Sequence, residues 1–232
     1  MKPLDLVIFD LDGTLVDSLP DIAWALNSTL TGVGLSPLPL PTVAQLVGDG
    51  AATLIERAVA TTAVAGSGAA SPTLPEYGAL LAQFMSVYGA RVCVDSRLYP
   101  GVNALLDSLT AAGVTMAVIT NKPGPLAREL LGTLGVASHF RAIVGDLDGF
   151  PRKPDPGAAR SLMKACGAAP DRTVVVGDGI PDLRLARSLP CTAIAAGWGY
   201  VSPARLEAER PTHLASTPEE AAHLLLSTDA PA

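Results

Sequence analysis

The sequence predicts an α/β fold, in which a parallel sheet carries helices on both faces and an all-helical cap is inserted into the chain. Three observations predict it. Short apolar segments, mostly β-branched, recur along the chain, and amphipathic helical patterns lie between them. One long stretch, residues 18–92, contains helical patterns but no strand pattern. Continuous apolar strands that alternate with helices are typical of a parallel sheet covered on both faces.

The strand segments have the length of buried strands and are bounded by Gly, Asp or Asn. They predict strands at residues 6–9, 115–119, 142–144, 174–176 and 192–195. Apolar residues at helical spacing predict core helices at residues 102–111, 126–134, 158–166 and 183–188. We therefore assign residues 1–17 and 93–232 to an α/β core.

The inserted segment, residues 18–92, follows the first predicted strand. Helical patterns cover residues 21–31, 51–61 and 76–90. The connections at residues 36–41 and 66–75 are rich in Gly, Pro and Ser, which interrupt regular elements. We expect this segment to form the helical cap.

Composition excludes several classes of protein. Hydrophobic residues make up 49% of the 232 residues, which is typical of a globular chain, and the net charge of −6 argues against a nucleic-acid binder. The three cysteines are far apart and lack metal-ligand spacing. The apolar run at the N-terminus is too short for a signal peptide, and no run approaches a membrane span. We expect a cytoplasmic protein, monomer or homodimer, that binds neither nucleic acid nor membrane.

Three predicted strands end in polar residues. Residues 10–14 (DLDGT), 120–122 (TNK) and 177–179 (GDG) each follow an apolar strand directly. Residues just past the carboxyl ends of parallel strands line the binding crevice of an open sheet. We expect these three segments to meet at one site.

Several carboxylates would converge at that site, namely Asp10, Asp12, Asp178 and Asp182. Carboxylates that lie so close together raise each other's pKa unless a cation lies between them. Mg²⁺ fits best, since it takes few carboxylates, several waters and a substrate phosphate. His and Cys are missing from these strand ends in the sequence, which argues against zinc.

Two carboxylates that are two residues apart, as Asp10 and Asp12 are, can divide the work of phosphoryl transfer. One attacks phosphorus, and the other protonates the leaving oxygen and later activates water. Gly13 lets the backbone approach a substrate closely. Thr120 can bond phosphate oxygens, and Lys153 can supply a fixed positive charge.

These motifs, in their order and spacing, resemble those of the haloacid dehalogenase superfamily. Residues 10–18 resemble its first motif, 120–122 its second, 153–154 its third and 177–182 its fourth. The resemblance implies a Rossmann-like core, a mobile helical cap and Mg²⁺. It implies roles for six residues: Asp10 as nucleophile, Asp12 as general acid/base that also ligates metal through its backbone carbonyl, Thr120 and Lys153 as phosphate binders, Asp178 as metal ligand and Asp182 as support of the metal site.

The cap loop at residues 47–51 resembles that of bacterial phosphoglycolate phosphatases, as do residues 99–102 and 196–200. The resemblance implies a small phosphorylated metabolite as substrate, with 2-phosphoglycolate favoured. Asp49 stands where this group more often has Asn, which bears on substrate choice. The residues expected to bind substrate are Gly13, Thr14, Asn121, Gly48, Asp49 and Gly50. The sequence leaves open the roles of Lys122, Arg57, Trp198 and Tyr200.

Other functions remain open at this stage. A pyrophosphatase, a sugar-phosphate phosphatase or a phosphosugar mutase would use the same chemistry with another cap. A phosphonate hydrolase would need a cap lysine, and the sequence has none between residues 18 and 92. A signalling receiver domain also forms an aspartyl-phosphate, but it is shorter and has no helical insert.

Overall fold

The structure is a computed structural model that describes residues 4–65 and 75–227. Its strands are β1 (Leu6–Phe9), β2 (Val16–Asp17), β3 (Arg97–Leu98), β4 (Thr115–Pro123), β5 (Ala142–Asp146), β6 (Thr173–Gly177), β7 (Thr192–Ala196) and β8 (His213–Ala215). Six of them form one parallel sheet in the order β5-β4-β1-β6-β7-β8. The strand that carries the first motif therefore lies in the middle of the sheet.

The helices of the described residues are α1 (Leu19–Gly32), α2 (Leu40–Leu46), α3 (Ala51–Ala65), α4 (Tyr77–Gly89), α5 (Val102–Ala111), α6 (Gly124–Thr133), α7 (Gly157–Cys166), α8 (Ile180–Ser188), α9 (Pro203–Ala208) and α10 (Pro218–Leu226). They alternate with the strands of this sheet, except that the described residues between β2 and β3 contain four helices in succession. Within the described ranges, each helix is too short or too polar to cross a bilayer.

Both faces of the sheet are buried. Val7 and Phe9 of β1 pack into a cluster with α5, α6, α10 and the helices between β2 and β3. Leu6 and Ile8 point to the other face and pack against α7, α8 and α9. Because successive side chains of a strand face opposite sides, burial on both faces requires an uninterrupted apolar strand. The α/β fold class is confirmed.

Some elements differ from the sequence prediction. Helix α2 was not predicted, and its first two residues lie in the expected connection at residues 36–41. The helix tolerates these prolines because Pro39 precedes it and Pro41 lies in its first turn, where a missing N–H costs nothing. Strand β8 and the short pair β2–β3 were not predicted. The expected connection at residues 66–75 lies, apart from Pro75, outside the described residues.

One buried carboxylate joins the start of the helical segment to its end. Asp21, in the first turn of α1, accepts hydrogen bonds at Oδ2 from the backbone N–H groups of Val94, Asp95 and Ser96 at 3.0, 2.9 and 2.8 Å. The Ser96 hydroxyl donates to the same oxygen at 2.7 Å. These bonds hold the pKa of Asp21 below its usual value. The start of α1 and the segment at residues 94–96, which follows α4, are therefore fixed to each other.

Candidate active site

Three carboxylates meet where β1 and β6 end. The Asp10 N–H donates to the Val176 carbonyl at 2.9 Å, which continues the pairing of the two strands. Asp10, Asp178 and Asp182 each offer an oxygen, and these atoms all lie within 4.8 Å of one another. The structure therefore brings together the strand ends that we expected to meet.

The Lys153 ammonium lies among these carboxylates. Its Nζ is 2.6 Å from Asp10 Oδ1 and 2.6 Å from Asp182 Oδ1, and its side chain is 2% exposed. The Leu11 N–H donates to Asp10 Oδ1 at 2.7 Å, and the Gly179 N–H donates to Asp182 Oδ2 at 3.0 Å. Both oxygens of Asp182 are therefore engaged. Asp10 Oδ2 accepts no hydrogen bond from any part of the chain that the structure describes.

Asp178 is fixed from two sides. Its Oδ1 accepts from the Thr14 hydroxyl at 2.9 Å, and its Oδ2 accepts from the Tyr200 N–H at 2.8 Å. Gly13 has a φ of +86°, and a Cβ there would lie 2.2 Å from Asp178 Oδ2. Only glycine fits this position without moving the carboxylate. The Thr14 hydroxyl thus donates its hydrogen bond to Asp178, although we expected Thr14 to bind substrate.

Burial and crowding disfavour the charged form of these acids. Burial, followed by the charge of Asp182, raises the pKa of Asp178 to about 7. The same two causes, in the same order, raise the pKa of Asp10 well above its usual value, against the pull of Lys153. The neighbouring carboxylates raise the pKa of Lys153 despite its burial, so it stays charged. A cation between these carboxylates would favour their ionised forms. A buried site that offers only oxygen atoms fits a hard cation such as Mg²⁺.

We predict that Mg²⁺ raises the melting temperature more at pH 8 than at pH 6. The folded metal-free protein holds the Asp178 proton more tightly than the unfolded chain does. Its free energy of unfolding therefore falls as pH rises from the ordinary pKa of 3.8 to about 7. A Mg²⁺ ion held among these carboxylates would stabilise their ionised form, and protons would compete with it at lower pH.

Thermal unfolding with and without Mg²⁺ at the two pH values measures this difference. Asp178→Asn is the control, and we expect it to unfold at a higher temperature than the metal-free parent at pH 8 and to respond little to Mg²⁺. An equal Mg²⁺ shift at both pH values would contradict the prediction.

Asp12 lies beside a second buried lysine. Asp12 Oδ1 accepts from the Ser18 hydroxyl at 2.5 Å and from Lys122 Nζ at 3.0 Å, and Oδ2 lies 3.2 Å from the same Nζ. The Lys122 ammonium also donates to the hydroxyl of Tyr88, which belongs to α4. The sequence left Lys122 open, and its place directly after a strand was the only signal of its burial.

Asn121 connects two loops. Its Nδ2 donates to the Gly48 carbonyl at 3.0 Å, and its Oδ1 accepts from the Lys153 N–H at 2.8 Å. Its amide is therefore used within the protein, although we expected it to bind substrate. It holds the loop before α3 against the loop that carries Lys153.

Asp49 belongs to the same contact between loops. Its carbonyl accepts from Arg152 Nη1 at 2.6 Å, and its Oδ2 lies 2.5 Å from Arg57 Nη2. Gly50 has a φ of +91°, and a Cβ there would lie 2.5 Å from Arg152 Nη1. Arg57, whose role the sequence left open, therefore pairs with Asp49.

Tyr200 and Trp198 also support the site. The Tyr200 hydroxyl accepts from the N–H groups of Ser18 and Leu19, at 2.9 and 3.0 Å, where α1 begins. Trp198 Nε1 donates to the Thr14 carbonyl at 2.9 Å. One residue, Tyr200, thus contacts Asp178 through its backbone and the start of the helical segment through its side chain.

A cleft opens between the strand ends and the helical segment. The strand ends contribute its polar side, and α1, α3, α4 and the residue 47–50 loop contribute a mainly apolar side. The polar lining is Asp10, Asp12, Thr120, Asn121 and Lys122. The lining of the helical side is Ile22, Val47, Gly48, Gly50, Ala51, Leu54, Phe84 and Tyr88. Among the substrate residues expected from sequence, Gly48, Gly50 and Asn121 border this cleft.

The sequence model of the haloacid dehalogenase-like hydrolases matches residues 7–196, which include all four motifs and the carboxylate cluster. The chain belongs to this family. The resemblance stated from the motifs is confirmed.

Several similar proteins are named phosphoglycolate phosphatase. A phosphoglycolate phosphatase of Rhodospirillum rubrum is 39% identical over 194 residues, 84% of this chain and 80% of that protein. One from Agrobacterium fabrum is 39% identical over 212 residues, 90% of this chain and 87% of that protein. The crystal structure of a predicted phosphoglycolate phosphatase from Haemophilus somnus has a TM-score of 0.89 at 32% identity, covering 95% of this chain and 97% of that one.

Proposed function

We propose that this protein is a Mg²⁺-dependent phosphatase that hydrolyses a small phosphomonoester, with 2-phosphoglycolate as the favoured substrate, through an aspartyl-phosphate on Asp10. The observation that carries the proposal is Asp10 itself. Asp10 borders the cleft, its Oδ1 is held by Lys153 and by a backbone N–H, and its Oδ2 accepts no hydrogen bond from the described residues. The names of the similar proteins supply the substrate.

In the first step, Asp10 Oδ2 forms a bond to phosphorus as the bond from phosphorus to the ester oxygen breaks. Asp12, which also borders the cleft, gives its proton to the leaving oxygen. Lys153 holds the attacking carboxylate in place and places a positive charge beside the transferred group. Thr120, on the neighbouring strand β4, is the proposed phosphate contact.

In the second step, Asp12 takes a proton from water as that water attacks phosphorus. The aspartyl-phosphate breaks, inorganic phosphate forms and Asp10 regains its carboxylate, which completes the cycle. The same carboxyl group thus acts as acid and then as base. Over both steps the ester and one water become the alcohol and inorganic phosphate, and the protein is returned unchanged.

The proposed Mg²⁺ ligands are Asp10, Asp178 and the backbone carbonyl of Asp12. Asp182 supports them, because its Oδ1 is already paired with the Lys153 ammonium, whereas Asp178 accepts hydrogen bonds from the neutral groups of Thr14 and Tyr200. When bound, Mg²⁺ neutralises charge on the phosphate and on the crowded carboxylates.

The organisation of the chain follows the same proposal. Residues 1–17 and 93–232 form the catalytic core, and residues 18–92 form the cap that selects the leaving group. The apolar lining contributed by Ile22, Leu54 and Phe84 leaves room for a short leaving group beside the reacting carboxylates. A small cytoplasmic metabolite suits this cleft, and the working form is a monomer or homodimer.

A panel of phosphate esters tests the function. We expect Mg²⁺-dependent release of inorganic phosphate, with kcat/KM for 2-phosphoglycolate at least about tenfold above that for hexose phosphates. Pyrophosphate and hexose 1-phosphates belong in the panel, because faster phosphate release from pyrophosphate, or isomerisation of a hexose phosphate, would favour the alternatives. Absence of phosphate release from every ester with Mg²⁺ present would overturn the proposal.

A further inference from the structure

Tyr88 lies in the cleft but has no part in the mechanism above. It stands on α4, near the end of the helical segment, and is 2% exposed. Its ring stacks on Phe84, with the centroids 5.6 Å apart. Its hydroxyl accepts a hydrogen bond from Lys122 Nζ, which lies 4.5 Å from the ring centroid. Packing against Phe84 does not require a hydroxyl at this position. The Lys122 ammonium, however, needs an oxygen that accepts its hydrogen bond.

The hydrogen bonds of the Lys122 ammonium can be counted. An ammonium has three N–H groups, and three oxygens surround this one within the described part of the chain. They are Asp12 Oδ1 at 3.0 Å, Asp12 Oδ2 at 3.2 Å and the hydroxyl oxygen of Tyr88. The side chain of Lys122 is 3% exposed, so water is a poor substitute for any of them. Two N–H groups therefore face Asp12, and Tyr88 satisfies the third.

Asp12 is consequently held between two groups with different origins. Ser18, at the start of the helical segment, donates to Oδ1 from one side at 2.5 Å. Lys122, from the strand end, contacts both oxygens from the other side. The direction of the Lys122 ammonium depends on Tyr88. The helical segment therefore helps to hold the carboxyl group of Asp12 through two residues, Ser18 at its start and Tyr88 near its end.

We propose that Tyr88 is a positioning residue for Asp12 and acts through Lys122. Without the hydroxyl, a buried ammonium N–H has no acceptor, and the ammonium shifts to find one. Asp12 then loses part of the contact that fixes its direction toward the leaving oxygen. The inference rests on the proposed function, in which Asp12 gives its proton to that oxygen.

The leaving group distinguishes this role from a purely structural one. The alkoxide that leaves from 2-phosphoglycolate needs a proton, whereas 4-nitrophenolate leaves without one. Because Asp12 also acts in hydrolysis of the aspartyl-phosphate, whichever ester formed it, the rate to compare is that of aspartyl-phosphate formation in a single turnover. In Tyr88→Phe, this rate should fall about tenfold with 2-phosphoglycolate, part of the ~10²–10⁴ that general acid–base catalysis supplies. With 4-nitrophenyl phosphate it should stay within about twofold, and KM should change little for both esters.

Two variants serve as controls. Tyr77→Phe makes the same change on the same helix, where the side chain is exposed, and should leave both esters unaffected. In an Asp12→Asn background, Tyr88→Phe should cause no further loss in the rate of aspartyl-phosphate formation from 2-phosphoglycolate, since residues that act through one group are not additive. Lys122→Gln should show the same selectivity for the leaving group as Tyr88→Phe, and it tests the proposal independently should the tyrosine variant fold poorly.

The outcomes separate the two proposals. A wild-type enzyme that hydrolyses both esters, with equal losses in the rate of aspartyl-phosphate formation from both in Tyr88→Phe and Lys122→Gln, would overturn the positioning role and leave the proposed function standing. An unchanged rate of aspartyl-phosphate formation from 2-phosphoglycolate in both variants would overturn it as well. A wild-type protein that hydrolyses neither ester would overturn the proposed function, and the positioning role with it.

Discussion

Asp10→Asn should lower kcat for phosphate release from 2-phosphoglycolate by roughly 10⁴-fold or more, because the variant has no nucleophile. The amide has nearly the same shape as the carboxyl group, so the fold should be kept. What changes is the open oxygen, Oδ2, which becomes either an amide nitrogen or a carbonyl oxygen without charge. Removal of one buried carboxylate beside Asp178 and Asp182 should also raise the melting temperature of the metal-free protein.

Single-turnover assays with acid quench measure this prediction directly. The wild-type protein should accumulate a phosphoprotein that hydroxylamine cleaves, as expected of an acyl phosphate, and the variant should accumulate none. Asp107→Asn, a surface change with a side chain 74% exposed, is the matched control. A variant that keeps more than about a tenth of wild-type kcat would rule out Asp10 as nucleophile.

Lys153→Met should lower kcat/KM by about 10²–10³-fold, as loss of a preorganised charge in a water-excluded site does. The ammonium lies 2.6 Å from both Asp10 and Asp182, and it is 2% exposed. Without it, Asp10 loses the contact that fixes Oδ1, and two buried carboxylates lose the cation between them. The variant should also be less stable than the parent when Mg²⁺ is absent.

Lys164→Met provides the comparison, since it makes the same substitution on the exposed side of α7 and should leave kcat/KM unchanged. Lys153→Arg is informative as well, because the planar guanidinium does not fit a space shaped around a compact ammonium, and we expect little rescue. Steady-state rates with saturating Mg²⁺, together with melting temperatures, separate lost catalysis from lost folding. A change in kcat/KM below about threefold in Lys153→Met would contradict the role.

The main sheet was predictable because its strands are buried on both faces. Leu6–Phe9 and the neighbouring strands consist of apolar residues without interruption, and such segments are visible in one sequence. His213–Ala215 was missed because an edge strand of three residues with a polar member carries no such pattern. The two-residue strands β2 and β3 are shorter than any period that a sequence can display.

The carboxylate cluster was predictable for the same reason as the sheet. Asp10 and Asp178 directly follow buried strands, and parallel topology brings such positions to one edge. Thr14 and Asn121 show the limit of this argument. They were placed near the substrate by motif alone, whereas their hydrogen bonds go to Asp178 and to the loops around Lys153.

Contacts between the helical segment and the sheet could not be predicted. Phe84 and Tyr88 are four residues apart on a helix, which is the ordinary spacing of core packing, and nothing local shows that one hydroxyl meets a lysine. Asp21 looks like an acid favoured at a helix start, and its partners are more than 70 residues away in the chain. Such pairs depend on three-dimensional packing.

The buried Asp21 has a consequence for chimeras that exchange helical segments between relatives of different specificity. A junction placed between Asp21 and residues 94–96 would separate an acceptor from the four hydrogen bonds it receives. The chimera would then bury polar groups without hydrogen-bond partners, and each such group would lower the free energy of unfolding by about 1–3 kcal/mol. Grafts that carry both sides of this contact, or neither, keep the interior consistent and are the boundaries at which specificity can be transplanted.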